Sequence, residues 1–473
     1  MEPRVSSDVR WPREAWIPLL AGLFWLWRAP GHGPLGFLFS VLPGCLLLSS
    51  GFAMLFMPGD RRIAQFAALG GVLGVVFALP AFIVVGPGAA LLLIAASLAG
   101  FVAAGVHSVR LEPSVDGVPQ AVFSYRLAAE VAIDEALLGT MFLTAQLPPA
   151  GDQARIPGEL AEARARFEAE GWLEKPAGYH VAPPRLEAPR LQHARTRGID
   201  YEHLSFESGY EPHPGEPGRE RWLARVANRT AHAWVLRHAG PPRPWLVCIH
   251  GYQMGWPLID LLAFQPEVFH RQLGLNLLVP TLPLHGLRKT GRRSGDGFLA
   301  GDPLDTLHAE AQAMWDLRRL LGWLRADQAA PRVGVMGFSL GGYNTALLAS
   351  LDAELACAIA GIPVTDFTRT YYRHLPPLHV QSAERYGLAE STLRDVLRVV
   401  SPLALEPQIP RERRWIFGGV ADRLVPADQV RDLWQHWDKP RIAWYPGSHL
   451  TFRLHPNVPK LVLTALVDSG LST

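Results

Sequence analysis

Three uncharged apolar runs near the start of the chain, residues 35–57, 63–85 and 89–106, constrain its fold most. The first two are each about 23 residues long, enough for a helix to cross a hydrocarbon core of about 30 Å, and the third is shorter. Pro43 and Pro80 fall inside the first two runs, among many Gly and Ala residues. Membrane helices tolerate such residues, because neighbouring helices pack on small side chains and satisfy the freed backbone groups. A fourth run, 15–27, is bounded by Arg13 and Arg28 and is short for a span. Its Trp16, Trp25 and Trp27 suit an interfacial helix or a marginal span. The apolar blocks continue with no small-residue cleavage site after the first, so a cleaved leader is not expected.

Charge placement orients this helical membrane region, residues 1–110. Arg4, Arg10 and Arg13 precede the runs, Arg61 and Arg62 lie between the two long ones, and Arg110 follows the third. The turn Gly86-Pro87-Gly88 is uncharged. Four spans, or three spans after an interfacial helix, place nearly all these arginines on the cytoplasmic side. The remainder of the chain is then expected at the cytoplasmic face of the cell membrane.

Hydrophobic residues make up 49% of the chain, and the excess is concentrated in these runs. The formal net charge of +2 argues against a nucleic-acid binder working through a broad basic surface. The three cysteines, Cys45, Cys248 and Cys357, have no paired spacing. They read as buried small apolar side chains, with neither a disulfide framework nor a zinc site.

Residues 111–197 read as a helical and proline-rich connector. Residues 125–146 and 158–172 have helical periodicity, and no catalytic constellation is evident among them. From residue 198 onward, short β-rich runs alternate with helical ones. Strands are expected at 199–206, 231–237, 245–249, 275–280, 333–336, 356–360, 415–417 and 441–444, with an amphipathic helix at 304–325. This alternation predicts an α/β domain over 198–473, with a mostly parallel sheet and helices on both faces.

One motif in this domain carries chemistry. Gly337-Phe338-Ser339-Leu340-Gly341 fits G-x-S-x-G, between a predicted strand and a predicted helix. A strand-to-helix turn this tight excludes side chains at its flanks and exposes the Ser339 hydroxyl at a helix N-terminus. The helix dipole there favours developing negative charge.

In this context the segment 198–473 resembles the α/β-hydrolase superfamily, esterases and lipases among them. The resemblance implies an acid and a base downstream, in that order. Phe417-Gly418-Gly419-Val420-Ala421-Asp422 leads from a strand into Val425-Pro426 and resembles the superfamily's acid loop, making Asp422 the acid. Trp444-Tyr445-Pro446-Gly447-Ser448-His449 resembles the histidine loop, making His449 the base. Asp366, after another strand, and His455, close to His449, are competing residues. His250-Gly251-Tyr252-Gln253 resembles the oxyanion loop. It implies donors at the N–H of Tyr252, with Gln253 as the fallback, and of Leu340, while His250 braces the loop.

Residues 365–403 sit where this fold carries a cap, and Phe367, Tyr371 and Tyr372 there suit either an acyl pocket or lid packing. Arg288, Lys289, Arg292 and Arg293 form a basic loop that suits solvent or anionic headgroups. The resemblance implies a serine hydrolase that cleaves a carboxylic ester without metal or organic cofactor. Location at a membrane favours a lipid or other apolar acyl ester. An acyltransferase using the same triad and a non-catalytic membrane scaffold are the alternatives.

Overall fold

A computed structural model describes residues 12–28, 33–57, 59–145, 148–299 and 301–472. Arg4, Arg10 and the predicted helix end at Gln146 lie outside the described residues. The chain forms two units. One holds the described residues up to Thr144 together with Gly419–Ala427 and Trp444–His455. The other holds Ala145–Gly418, Asp428–Ala443 and the described residues from Pro456 onward.

The first unit is built on five helices: α1 (Trp16–Arg28), α2 (Gly33–Phe56), α3 (Arg62–Val84), α4 (Pro87–Leu111) and α5 (Tyr125–Thr144). Pro43 and Pro80 lie inside α2 and α3 without ending them. Among the described residues, three segments are long and apolar enough to cross a membrane: Phe39–Phe56, Arg62–Val84 and Pro87–Leu111. Large apolar side chains such as Phe56, Leu79, Ile83 and Leu92 are exposed on them. An exposed apolar surface of this kind suits lipid as its solvent. Cys45 belongs to it, correcting the expectation that all three cysteines are buried, while Cys248 and Cys357 are buried as expected.

α1 has 13 residues and packs against α2 and α4. Trp16 and Trp27 are exposed, but Trp25 is buried and does not serve as an interfacial anchor. Its indole N–H donates to Ser97 Oγ at 2.9 Å, and that hydroxyl donates to the Leu93 carbonyl at 2.7 Å. In apolar surroundings a buried indole N–H requires such a partner. Arg110 pairs with Glu14, and Arg61 lies 3.5 Å from Glu112. The residues before α1, the start of α3 and the end of α4 therefore share one end of the bundle.

The second unit is built on a sheet of nine strands: β1 (Arg190–Thr196), β2 (Ile199–Glu207), β3 (Thr230–Leu236), β4 (Trp245–Ile249), β5 (Asn276–Thr281), β6 (Val333–Phe338), β7 (Cys357–Gly361), β8 (Arg414–Gly419) and β9 (Arg441–Tyr445). Their order is β1-β2-β3-β5-β4-β6-β7-β8-β9. The pairs from β1 to β5 are antiparallel, and β5-β4, β4-β6, β6-β7 and β7-β8 are parallel. β4, β5, β7 and β8 are buried along their whole length, as strands covered on both faces must be. This is the α/β-hydrolase fold, preceded by a helical apolar region. β1 lies within the stretch whose composition reads as a connector. It is a mostly exposed edge strand, so it carries no apolar alternation to mark it.

Two local structures bear on the sequence reading. Arg288 is buried rather than part of a surface basic cluster. It pairs with Asp316 at 2.9 Å and donates to the carbonyls of Thr281 and Asn228. The segment expected as a cap contains three short helices, Phe367–His374, Pro377–Arg385 and Glu390–Leu397. Phe367 is buried and stacks on Tyr343 with ring centroids 4.1 Å apart.

Candidate active site

The sharpest local geometry is at Ser339. It follows β6 directly and caps a helix, Leu340–Ala349, with φ 60° and ψ −120°. A non-glycine residue with positive φ is uncommon and persists only where its surroundings hold it. Here the Ser339 N–H donates to the Gly361 carbonyl at 2.9 Å, and its own carbonyl accepts from Tyr343 N–H at 3.0 Å. The flanking glycines have direct causes. A Cβ on Gly337 would lie 2.2 Å from the Gly341 carbonyl oxygen, and one on Gly341 would lie 1.9 Å from that of Ile249. The helix entry thus rests backbone to backbone on β4. The Leu340 N–H, in the first turn of this helix, has no acceptor within the helix.

The loop after β4 passes close to this turn. A Cβ on Gly251 would lie 3.6 Å from Ser339 Cβ. His250 is fully buried, and Leu282 N–H donates to its Nε2 at 3.0 Å. That leaves Nδ1 to donate to the Gly251 carbonyl at 2.8 Å. Burial pushes His250 down to about 4, so it stays neutral and acts as a brace. Tyr252 follows, its ring packed against His285 and Phe298, and Gln253 turns the chain with φ 63°.

In the other unit, the loops after β8 and β9 bring Asp422 and His449 together. His449 Nδ1 lies 2.7 Å from Asp422 Oδ2, and both side chains are nearly inaccessible to solvent. The second carboxylate oxygen, Oδ1, accepts from Val425 N–H at 2.7 Å. Burial alone would lower the pKa of His449. The charge and hydrogen bond of Asp422, with a further contribution from Asp134, outweigh burial and raise it. The imidazole is therefore oriented through Nδ1 and made a stronger base.

The competing residues are engaged elsewhere. Asp366 caps the helix Phe367–His374 by accepting from Arg369 N–H at 2.9 Å. His455 bonds through Nε2 to Glu130 at 3.0 Å.

Sequence reasoning placed no site residue in α5, yet α5 supplies carboxylates to these loops. Asp134 accepts from the N–H groups of His449 and Arg423 at 2.8 and 3.1 Å. Glu130 accepts from the Thr451 hydroxyl at 2.9 Å and contacts His455. The Arg423 side chain reaches Ser108 of α4 at 2.8 Å. The available signal was Glu130, Asp134 and Glu135 at helical spacing on a stretch otherwise rich in Ala, Val and Leu.

No family model matches the sequence. Uncharacterized protein MT2702 of Mycobacterium tuberculosis is 42% identical over 366 residues, covering 75% of this chain and 86% of that one. Uncharacterized protein Rv2627c, from another strain of that species, matches with the same figures. Among solved structures, the acetyl xylan esterase from Paenibacillus sp. R4 is 16% identical with a TM-score of 0.43 and covers 67% of this chain and 99% of its own. Acetyl xylan esterase 1 from Thermoanaerobacterium sp. JW/SL YS485 is 15% identical, also with a TM-score of 0.43, and covers 69% and 100%. At such scores the strand order and the Ser339 turn, not these likenesses, carry the fold assignment.

Proposed function

This chain belongs to the same family as the two mycobacterial relatives and has the α/β-hydrolase fold, and from that premise we propose that it is a membrane-anchored serine hydrolase of carboxylic esters. The observation that carries this reading is the buried 2.7 Å bond between Asp422 and His449 Nδ1. It fixes the tautomer in which Nε2 is free to accept a proton, and a serine hydroxyl is inert without such a base. The strained, glycine-flanked turn at Ser339 supports the assignment of the nucleophile.

In the proposed reaction Ser339 Oγ attacks the ester carbonyl carbon while His449 Nε2 takes the hydroxyl proton. The N–H groups of Leu340 and Tyr252 stabilise the oxyanion. Collapse of the tetrahedral intermediate breaks the C–O bond, and His449 returns the proton to the departing alcohol. Water, deprotonated by His449, then attacks the acyl-enzyme, releasing the acid and regenerating Ser339. Asp422 holds the imidazole through Nδ1 and stabilises the imidazolium as it forms.

The apolar helices would hold the enzyme at a lipid surface, which makes a lipid or other apolar acyl ester the proposed substrate. Arg61 and Arg110 sit at one end of the bundle and support a cytoplasmic position for the domain. A fluorophosphonate probe tests the chemistry. Folded wild-type protein is expected to be labelled at Ser339, and Ser339→Ala to remain unlabelled. Labelling that persists in Ser339→Ala, or none in the folded wild type, would refute the proposal.

A further inference from the structure

We propose that Asp134 is a positioning residue for the reaction, so that α5 is part of the catalytic machinery as well as of the membrane-anchored bundle. This role rests on the triad proposed above. Asp134 is fully buried. Its Oδ2 accepts from the backbone N–H of both His449, the base itself, and Arg423, the residue after the acid. Its Oδ1 lies 3.4 Å from the N–H of Leu450. One carboxylate thus joins the acid loop to the histidine loop, from a helix about 300 residues away along the chain.

α5 is itself held firmly. A Cβ on Gly105 of α4 would lie 1.8 Å from the Ala128 carbonyl oxygen, so the two helix backbones are in contact. Leu127 and Val131 of α5 pack with Ala421 of the acid loop, next to Val109. Glu130, one turn before Asp134, holds Thr451 and His455. Arg423 reaches Ser108 and stands near Glu112 and Glu135. The acid loop is therefore fastened to both α4 and α5, and the histidine loop to α5.

A buried carboxylate is costly for a helix that only anchors. Burial, then the nearby Asp422 charge, push Asp134 up to about 7, and the charge of His449 and the donated N–H groups offset this only in part. Its placement between two loops is explained by what it holds. Its charge also helps to keep the pKa of His449 raised, together with Asp422.

The test uses the full-length protein in detergent, comparing wild type, Ser339→Ala, Asp134→Asn and Asp134→Ala on a chromogenic acyl ester across pH. Wild-type turnover that requires Ser339 establishes the triad; its absence sinks the triad and, with it, this role. Given that turnover, Asp134→Asn is expected to lower kcat by up to about 100-fold, the scale of a small misplacement of reacting groups, with a near-native melting temperature. Asn retains one accepting oxygen, so Asp134→Ala should lose more. The loss should fall on kcat with KM near the wild-type value, because Asp134 holds the backbone of the base and not the substrate, whereas a general structural defect would move both. Folded Asp134→Asn and Asp134→Ala proteins that both keep the wild-type kcat overturn the proposal.

Discussion

Replacing Asp422 with Asn tests the orientation of the base at the cost of a single atom. The two carboxylate oxygens have different partners. Oδ1 accepts from Val425 N–H at 2.7 Å, and Oδ2 accepts from His449 Nδ1 at 2.7 Å. An amide can keep its oxygen toward Val425 only by turning its NH2 toward the imidazole. Nδ1 must then accept, the ring proton moves to Nε2, and Nε2 can no longer take a proton from serine. The opposite amide orientation sets NH2 against the Val425 N–H. Asp422 is 2% exposed, so water cannot readily relieve either mismatch. For a buried aspartate that fixes the histidine tautomer, the expected loss in kcat is about 10,000-fold, or about 5.4 kcal/mol in the barrier. The assay is steady-state hydrolysis of a chromogenic acyl ester by the full-length protein, with a thermal melt as the control for folding. A folded Asp422→Asn protein whose kcat stays within about tenfold of wild type would refute the tautomer reasoning.

Two further outcomes follow from the geometry. Gly341→Ala places a methyl group 1.9 Å from the Ile249 carbonyl oxygen, with backbone on both sides. It should destabilise the fold by at least about 1–3 kcal/mol, read as a lower midpoint in tryptophan-fluorescence melts; an unchanged midpoint counts against backbone contact there. The second outcome concerns pH. His449 must be neutral to act as a base and its pKa is raised, so kcat/KM should climb with pH through a midpoint above the ordinary histidine value of about 6.5. An acid limb centred at or below that value would contradict the assigned environment.

The strand-to-helix turn at Ser339 was legible because the constraint is local. A strand, a tight turn and a helix meet within a few residues, and backbone crowding forces glycine into the sequence on either side. The long apolar helices were legible for a similar reason, since a segment that suits lipid is apolar along its length. The burial of Trp25, the ion pairing of Arg288 and the edge strand β1 were not legible. Each depends on partners that are distant in the chain, such as Ser97 for Trp25 and Asp316 for Arg288.

Sequence alone thus determined which segments suit lipid, where the sheet alternates with helices, and where the strained serine stands. Only the tertiary structure decided that Asp422 and His449 bond to each other, and that Asp134 of α5 holds the backbone of both loops. The physical reason is range. Propensity, periodicity and steric exclusion act over a few residues and leave a pattern in the letters. A carboxylate that accepts backbone N–H groups leaves none at the donor positions, because nearly every residue there offers the same N–H.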